Sequence, residues 1–169
     1  KSKRNVINPQ SIIDLYGADT ARWFMLSDSP PERDINWSSS GIKGAWKFTQ
    51  KFWRVVNDCK DIFNVDLISR PKIFDDFTNE FRKQVHKHLK SITDSINTFQ
   101  MNVAVAKIHE LTALISNFAP NNFEGKWSKK EALIILLRVT EPMMPHIVEE
   151  CWYLIGNKNS IIETEWPKH

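Results

Sequence analysis

The chain has 169 residues, of which 41% are hydrophobic and 25% are charged, and its formal net charge is +3. A chain of this size can bury about 70% of its unfolded surface, so a hydrophobic core is available without disulfide or metal staples. Its two cysteines, Cys59 and Cys151, argue against a disulfide framework or a zinc cluster. The longest apolar run, residues 132–137, is far shorter than the roughly 20 residues of a transmembrane helix, and we expect a cytoplasmic protein without membrane contact.

The chain opens in the middle of a charged string at Lys1, which we interpret as the start of a piece cut from a longer protein. Asn8 and Pro9 predict the N-cap and first residue of a short helix that ends at Gly17. Asp19 is expected to cap a second helix, which should end before two consecutive prolines. Two short helices therefore precede the rest of the chain.

A long amphipathic helix is predicted from about Ser40 to Phe63, with N-cap candidates at residues 38–40. Its large apolar residues recur with the 3.6-residue period of one helix face and are Ile42, Ala45, Trp46, Phe52, Trp53, Val56, Cys59 and Phe63. Two of these tryptophans, Trp46 and Trp53, could stack on nucleic-acid bases. Their helical spacing instead favours a place in the core.

Four cations recur on another face of this helix, at intervals of four, four and three residues: Lys43, Lys47, Lys51 and Arg54. No acidic residue interrupts them before Asp58, and like charges at this spacing destabilise an isolated helix. Two interpretations remain open at this point. The row is either a solvated face with acidic partners on other elements or a track for a polyanionic backbone.

Further amphipathic helices are predicted from Asp75 to about Phe99 and from Asn102 onward. The first carries cationic and imidazole side chains on its outer face, namely Arg82, Lys83, His86, Lys87 and Lys90. A capping box at residues 128–131 predicts the start of another helix, which continues beyond two prolines until Gly156. Short loops between long amphipathic helices predict an all-α, antiparallel bundle.

No catalytic or metal constellation follows from the residues themselves. His146 with Glu149 and Glu150, and His86 with His88, have helical spacing but lack a matched third ligand, so we expect no metal site. The chain has no glycine-rich phosphate loop and no nucleophile elbow. Physical reasoning alone ends at a helical bundle with basic rows.

Several short sequence motifs occur in this chain with the residues and in the order that are typical of one known family. They are Lys1-Ser2-Lys3, Tyr16-Gly17-Ala18-Asp19 with Arg22, the string from Ser29 to Ser38, Gly44-Ala45-Trp46 leading to Phe52-Trp53-Arg54, residues 101–106, residues 141–152 and Trp166-Pro167. Together they resemble the class I aminoacyl-tRNA synthetases, and within these the leucyl branch of the bacterial type. The first string is similar to the end of the signature K-M-S-K-S.

The resemblance implies two parts of a leucine–tRNA ligase. Residues 1–37 would be the end of the signature loop with connecting helices, and residues 38–169 the helical tRNA-binding bundle of the anticodon-binding type. The parent enzyme would activate leucine with ATP and Mg²⁺ and transfer it to tRNA(Leu). Lys1 would contact the ATP phosphates, while Ser2 and Lys3 would shape the loop. Without the nucleotide-binding body we expect a catalytically silent, monomeric fragment with no cofactor bound.

The resemblance also implies how the bundle meets RNA. Leucine anticodons vary too much to serve as an identity signal, so the bundle is expected to grip the tRNA body, where phosphate contacts position without specifying. The expected contacts are the row Lys43, Lys47, Lys51 and Arg54, and a second row of Lys83, Lys87 and Lys90. The alternatives are the same domain of a valyl, isoleucyl or methionyl synthetase, or a helical module that binds only proteins.

Overall fold

A computed structural model describes the chain except for residues 1–6, 29–32, 34, 36, 65–68 and 169. All regular secondary structure in the described part is helical, which confirms the predicted all-α class. The α-helices are α1 (Pro9–Tyr16), α2 (Ala18–Asp28), α3 (Ser39–Asn57), α4 (Asp76–Asn97), α5 (Met101–Asn117), α6 (Phe123–Thr140) and α7 (Pro145–Leu154). Short 3₁₀ helices follow at Lys60–Asn64 and Ile161–Glu163.

The predicted boundaries of α1 are confirmed. The Asn8 side chain accepts a hydrogen bond of 3.0 Å from the backbone N–H of Gln10, and Pro9 is the first helical residue. Gly17 ends the helix with φ of 82°, a left-handed conformation that favours glycine. The turn at this glycine lets α2 begin at the next residue.

The sequence predicted that Asp19 caps α2. Its side chain instead contacts the N-terminal residues of α7. The buried carboxylate lies 2.8 Å from His146 Nδ1 and accepts a 2.6 Å hydrogen bond from the Ile147 N–H. From the next turn of α2, the Arg22 guanidinium donates to the carbonyls of residues 142–143 at 2.8 and 3.1 Å. An acid at a helix N-terminus is favourable, so α2 fixes the junction between α6 and α7.

Helix α3 ends at Asn57, earlier than the predicted end at Phe63, and a short 3₁₀ helix follows it. Ser38 is the N-cap, and its hydroxyl accepts a 2.9 Å hydrogen bond from the Gly41 N–H. The buried face of α3 consists of Ile42, Ala45, Phe48, Thr49, Phe52, Val55 and Val56. Trp23 of α2 stacks on Phe48 with ring centroids 4.6 Å apart, so α2 packs directly on α3.

Helices α4, α5 and α6 form the other part of the bundle. The Asp75 side chain caps α4 by accepting a 2.7 Å hydrogen bond from the Thr78 N–H. Two aromatic residues of this part, Phe77 and Phe99, are 67% and 65% exposed. Phe77 lies in the first turn of α4, and Phe99 lies two residues beyond the end of that helix, in the connection to α5.

The start of α6 also differs from the prediction. Asn122 is the N-cap, since its side chain accepts a 3.0 Å hydrogen bond from the Gly125 N–H. Ser128 lies inside the helix and donates to the Glu124 carbonyl instead, so the predicted capping box is wrong. The capping pattern therefore marked a residue within the second turn of the helix.

One continuous hydrophobic core joins both parts of the bundle. Its most deeply buried large side chains include Trp23, Phe52, Leu89, Ile108 and Leu133, which come from five different helices. Helix α5 packs against α2, α3, α4 and α6 and so lies centrally. No helix in the described part of the chain is long and apolar enough to span a membrane.

Candidate nucleic-acid interface

Within the described part of the chain, the cationic row of α3 has no acidic partner. Lys43, Lys47 and Arg54 are exposed, and Lys51 is half-buried. The ion pairs formed by the described residues include none of these four side chains. The sequence left two interpretations of this row open. The first requires acidic partners on other elements, and these are absent from the described part of the structure.

An aromatic groove of about 560 Å³ lies beside this row. It is lined by Trp46, Thr49, Gln50, Trp53, Arg54 and Ile147. The prediction that both tryptophans belong to the core is wrong for Trp46, which is 36% exposed, and Trp53 is only half-buried. The buried stripe of α3 is wide, and it leans toward Phe48, which Trp23 of α2 and His109 of α5 cover, rather than toward the tryptophans.

His109 of α5 is a neighbour of the row that sequence reasoning missed. Its ring lies 3.9 Å from the Phe48 ring and 5.5 Å from that of Trp23, while one edge remains exposed. Burial and, after it, the positive charge of Lys51 lower the pKa of His109. No spacing pattern within α5 could have indicated this contact, because it depends on how two helices pack.

The second row, Lys83, Lys87 and Lys90 of α4, is also exposed but lies among acids. Lys90 Nζ lies 3.1 Å from Asp94 Oδ2. The other two lysines line a groove of about 490 Å³ together with Glu80, Lys107 and Glu110. Lys107 contacts Glu110 at 2.9 Å, and this hydrogen bond is the main cause of the lowered pKa of Glu110. This surface alternates in charge.

Arg82 and His86, predicted on the outer face of α4, instead meet an acid of α6. The Arg82 guanidinium binds Glu131 through two hydrogen bonds of 2.8 and 3.0 Å, and His86 Nε2 lies 3.7 Å from the same carboxylate. Burial would raise the pKa of Glu131, but the His86 ring and the Arg82 guanidinium outweigh it and lower the pKa to about 2. A buried bidentate pair of this kind is a structural contact.

The predicted metal candidates have other roles in the structure. His146 binds Asp19, and Glu149 accepts a 3.1 Å hydrogen bond from the Ile161 N–H. His88 lies 3.7 Å from Glu110. In the described part of the chain, no group of three or more histidine, cysteine or acidic side chains is placed to hold a metal ion.

Both cysteines are free and buried, as their apolar helix positions predict. Burial raises the pKa of Cys59, and burial with the charge of Glu150 raises the pKa of Cys151 to about 12. A thiol held protonated in this way is a poor nucleophile. The candidate loop residues Lys1, Ser2 and Lys3 lie outside the described residues.

Comparison with known proteins gives a consistent result. A family model described as the anticodon-binding domain of tRNA ligase matches residues 78–169. The leucine–tRNA ligase of Parvibaculum lavamentivorans is 44% identical over 99% of this chain and 19% of that protein. That of Bradyrhizobium diazoefficiens is 41% identical over 99% of this chain and 20% of that protein. The chain thus spans about a fifth of the length of the curated relatives it matches.

A solved structure shares the fold. The crystal structure of the ternary complex of LeuRS, tRNA and LeuAMS from Agrobacterium radiobacter K84 superposes with a TM-score of 0.85 and 24% sequence identity. The match covers 99% of this chain and 22% of that one.

Proposed function

The chain belongs to the family of the anticodon-binding domain of tRNA ligases, and from this premise we propose that it is the tRNA-gripping part of a longer leucine–tRNA ligase. The identity of 41–44% to leucine–tRNA ligases along 99% of the chain supports leucine over valine, isoleucine or methionine as the amino acid. In this proposal the partner is tRNA(Leu), and the longer enzyme is cytoplasmic.

The observation that carries the RNA-binding proposal is the row on α3, which forms no ion pair with any residue that the structure describes. Lys43, Lys47 and Arg54 present their charges to solvent, Lys51 is half-buried, and Arg54 also lines the aromatic groove. Lysine and arginine side chains without acidic partners can neutralise phosphates without first breaking an ion pair. Contacts of this kind position a duplex and leave sequence unread, which suits a grip on the body of a tRNA.

The row on α4 has a secondary place in this proposal. Lys83 and Lys87 share their groove with Glu80 and Glu110, and Lys90 is paired with Asp94. A phosphate approaching these lysines would also meet carboxylates. We therefore assign Lys83, Lys87 and Lys90 weaker contacts, formed only at the margin of the RNA.

The division of labour along the chain follows from the same proposal. Residues 1–37 would connect the bundle of residues 38–169 to a nucleotide-binding body, with Lys1 toward the ATP phosphates and Ser2 and Lys3 shaping the loop. ATP with Mg²⁺ and leucine would bind to that body. Because these 169 residues would hold only the end of the loop, they would be monomeric and catalytically silent alone.

Two measurements test this proposal. The chain should bind tRNA(Leu) with an affinity that decreases steeply as salt increases, and a change of anticodon letters should leave that affinity unchanged. The chain alone should give no leucine-dependent exchange between ATP and pyrophosphate. Salt-independent binding would contradict RNA contact through the row, and measurable exchange would contradict the assignment of chemistry to other parts of the enzyme.

A further inference from the structure

A second cavity lies between α4, α6 and the segment that follows α7. Its volume is about 350 Å³, and its lining includes His86, Trp127, Lys130, Glu131, Arg138 and Lys168. No residue of α3 contributes to it. The RNA-binding proposal assigns no role to this site.

Two buried nitrogen atoms in this lining lack hydrogen-bond partners. Among the described residues, His86 Nε2 and Arg138 Nε are the only buried side-chain polar atoms without one. Native proteins rarely leave such atoms unsatisfied, because the lost hydration is not replaced. His86 Nε2 lies 3.7 Å from Glu131 Oε1, too far for a hydrogen bond, and Arg138 Nε has no acceptor among the described residues, so an added acceptor group could satisfy both nitrogens.

The charges of the lining define the acceptor as anionic. Lys130 Nζ lies 5.4 Å from the Phe63 ring and Arg138 Cζ 5.9 Å from that of Trp152, and neither side chain forms an ion pair with a described residue. Lys168 is exposed and lies 3.9 Å from Glu165. Of these three cations, Lys130 and Arg138 therefore have no ion-pair partner among the described residues.

The carboxylate in the lining is already engaged. Glu131 accepts two hydrogen bonds from Arg82, which lies behind it on α4. Arg82 also packs over the Trp127 ring, with Cζ 5.6 Å from the ring centroid. Glu131 therefore orients Arg82 and the ring, and the charges of Lys130 and Arg138 are not paired with a carboxylate of the described residues.

We propose that this cavity binds a phosphoryl group, held by Arg138, Lys130 and the His86 ring. A guanidinium, an ammonium and an imidazole N–H together match the several acceptor oxygens of a phosphate. The Trp127 indole forms a flat wall on which the organic part of the ligand can lie. The phosphoryl group can come from a free organic phosphate or from the backbone of an RNA.

The test uses the intact 169-residue chain and NMR signals of the site itself. Inorganic phosphate and AMP are titrated separately at constant ionic strength against chloride, while the Trp127 indole and His86 imidazole resonances are followed. We expect both signals to shift saturably, with dissociation constants in the millimolar range or below.

Three variants assign the binding to named side chains. Arg138→Gln should weaken binding at least about tenfold, because a charge-assisted hydrogen bond is lost. Lys130→Gln, at a less buried position, should weaken it about three- to tenfold. The control Lys126→Gln changes the same residue type one turn earlier on α6, outside the lining, and should change affinity less than about twofold. Thermal unfolding confirms that each variant is folded.

The two sources of phosphate are separated by a competition experiment. Tighter binding of AMP than of inorganic phosphate supports a free organic phosphate, whereas displacement of phosphate from these signals by tRNA supports an RNA backbone. Absence of saturable shifts up to about 10 mM phosphate would overturn the proposal. So would equal phosphate affinity of the wild type and of a folded Lys130→Gln variant. Neither result would bear on the row of α3, which lines another surface.

Discussion

The α3 and α4 surfaces carry similar rows of cations, but their surroundings differ. On α3, Lys43 and Lys47 project where the described residues provide no acid. On α4, Lys90 is paired with Asp94 and its neighbours share a groove with Glu80 and Glu110. The difference shows that the availability of a cation depends on what the adjacent helices contribute more than on its own spacing.

The largest effect is expected when the charges of the α3 row are removed. Replacing Lys43, Lys47, Lys51 and Arg54 with glutamine should lower tRNA affinity by about 100- to 1000-fold at ~0.1 M salt, because four phosphate contacts are lost. The slope of log affinity against log salt should become shallower by about 3. A filter-binding or fluorescence titration over a range of salt concentrations measures both quantities. Unchanged affinity and slope in a folded variant would remove this row from the interface.

A second prediction concerns the ion pair between Arg82 of α4 and Glu131 of α6. The pKa of Glu131 is about 2, below its ordinary value of 4.5, so the stabilisation it provides is fully present above about pH 4.5. That stabilisation should be lost as the pH falls from about 4.5 toward 2, and it amounts to about 2–3 kcal/mol in the free energy of unfolding. The free energy of unfolding measured with urea should therefore decrease less between pH 6 and pH 3 for Glu131→Gln than for the wild type.

The matched control for this experiment is Glu150→Gln. Glu150 is an exposed acid of α7 that forms no ion pair in the described part of the chain. Its variant should lose as much stability on acidification as the wild type does. A Glu131→Gln variant that also behaves like the wild type would contradict the ion pair with Arg82.

A smaller effect is expected from the α4 row itself. Replacing Lys83, Lys87 and Lys90 with glutamine should lower tRNA affinity by no more than about threefold, because these charges are partly compensated by acids. The same salt titration measures the effect. A loss as large as that of the α3 variant would show that neighbouring acids do not reduce the availability of a lysine.

The smallest effect concerns the field of the α3 row. Lys51 contributes to the lowered pKa of His109, after burial, because its charge is not neutralised nearby. Lys51→Gln should therefore raise the pKa of His109, which an NMR titration of the imidazole signals measures. Lys47→Gln is the control, since Lys47 is not among the groups that lower this pKa. An unchanged pKa of His109 in Lys51→Gln would indicate that the row is screened.

Local signals in the sequence were sufficient where the physical cause is local. The caps at Asn8 and Ser38 and the stop at Gly156, which has φ of 94°, follow from side chains or backbone freedom within one turn. The apolar periodicity likewise predicted most of the helices. The all-α class therefore followed from the sequence without knowledge of any packing.

Sequence patterns failed to predict features that depend on contacts between two helices. The α3 stripe was wide enough to be buried on either flank, and the contacts of α2 and α5 with Phe48 left Trp46 at the surface. Arg82 was predicted to face outward because Glu131, its partner, comes from α6. For the same reason the sequence could not distinguish the unpaired row from the paired one.

Lysine footprinting tests the central claim most directly. The chain is treated with an amine-reactive reagent with and without tRNA(Leu), and the modification of each lysine is quantified by mass spectrometry. We expect Lys43 and Lys47 to be protected by the tRNA, while Lys83 and Lys158, an exposed lysine beyond α7, remain reactive. Protection of Lys83 with full reactivity of Lys43 and Lys47 would contradict the assignment of the α3 surface as the site where tRNA binds.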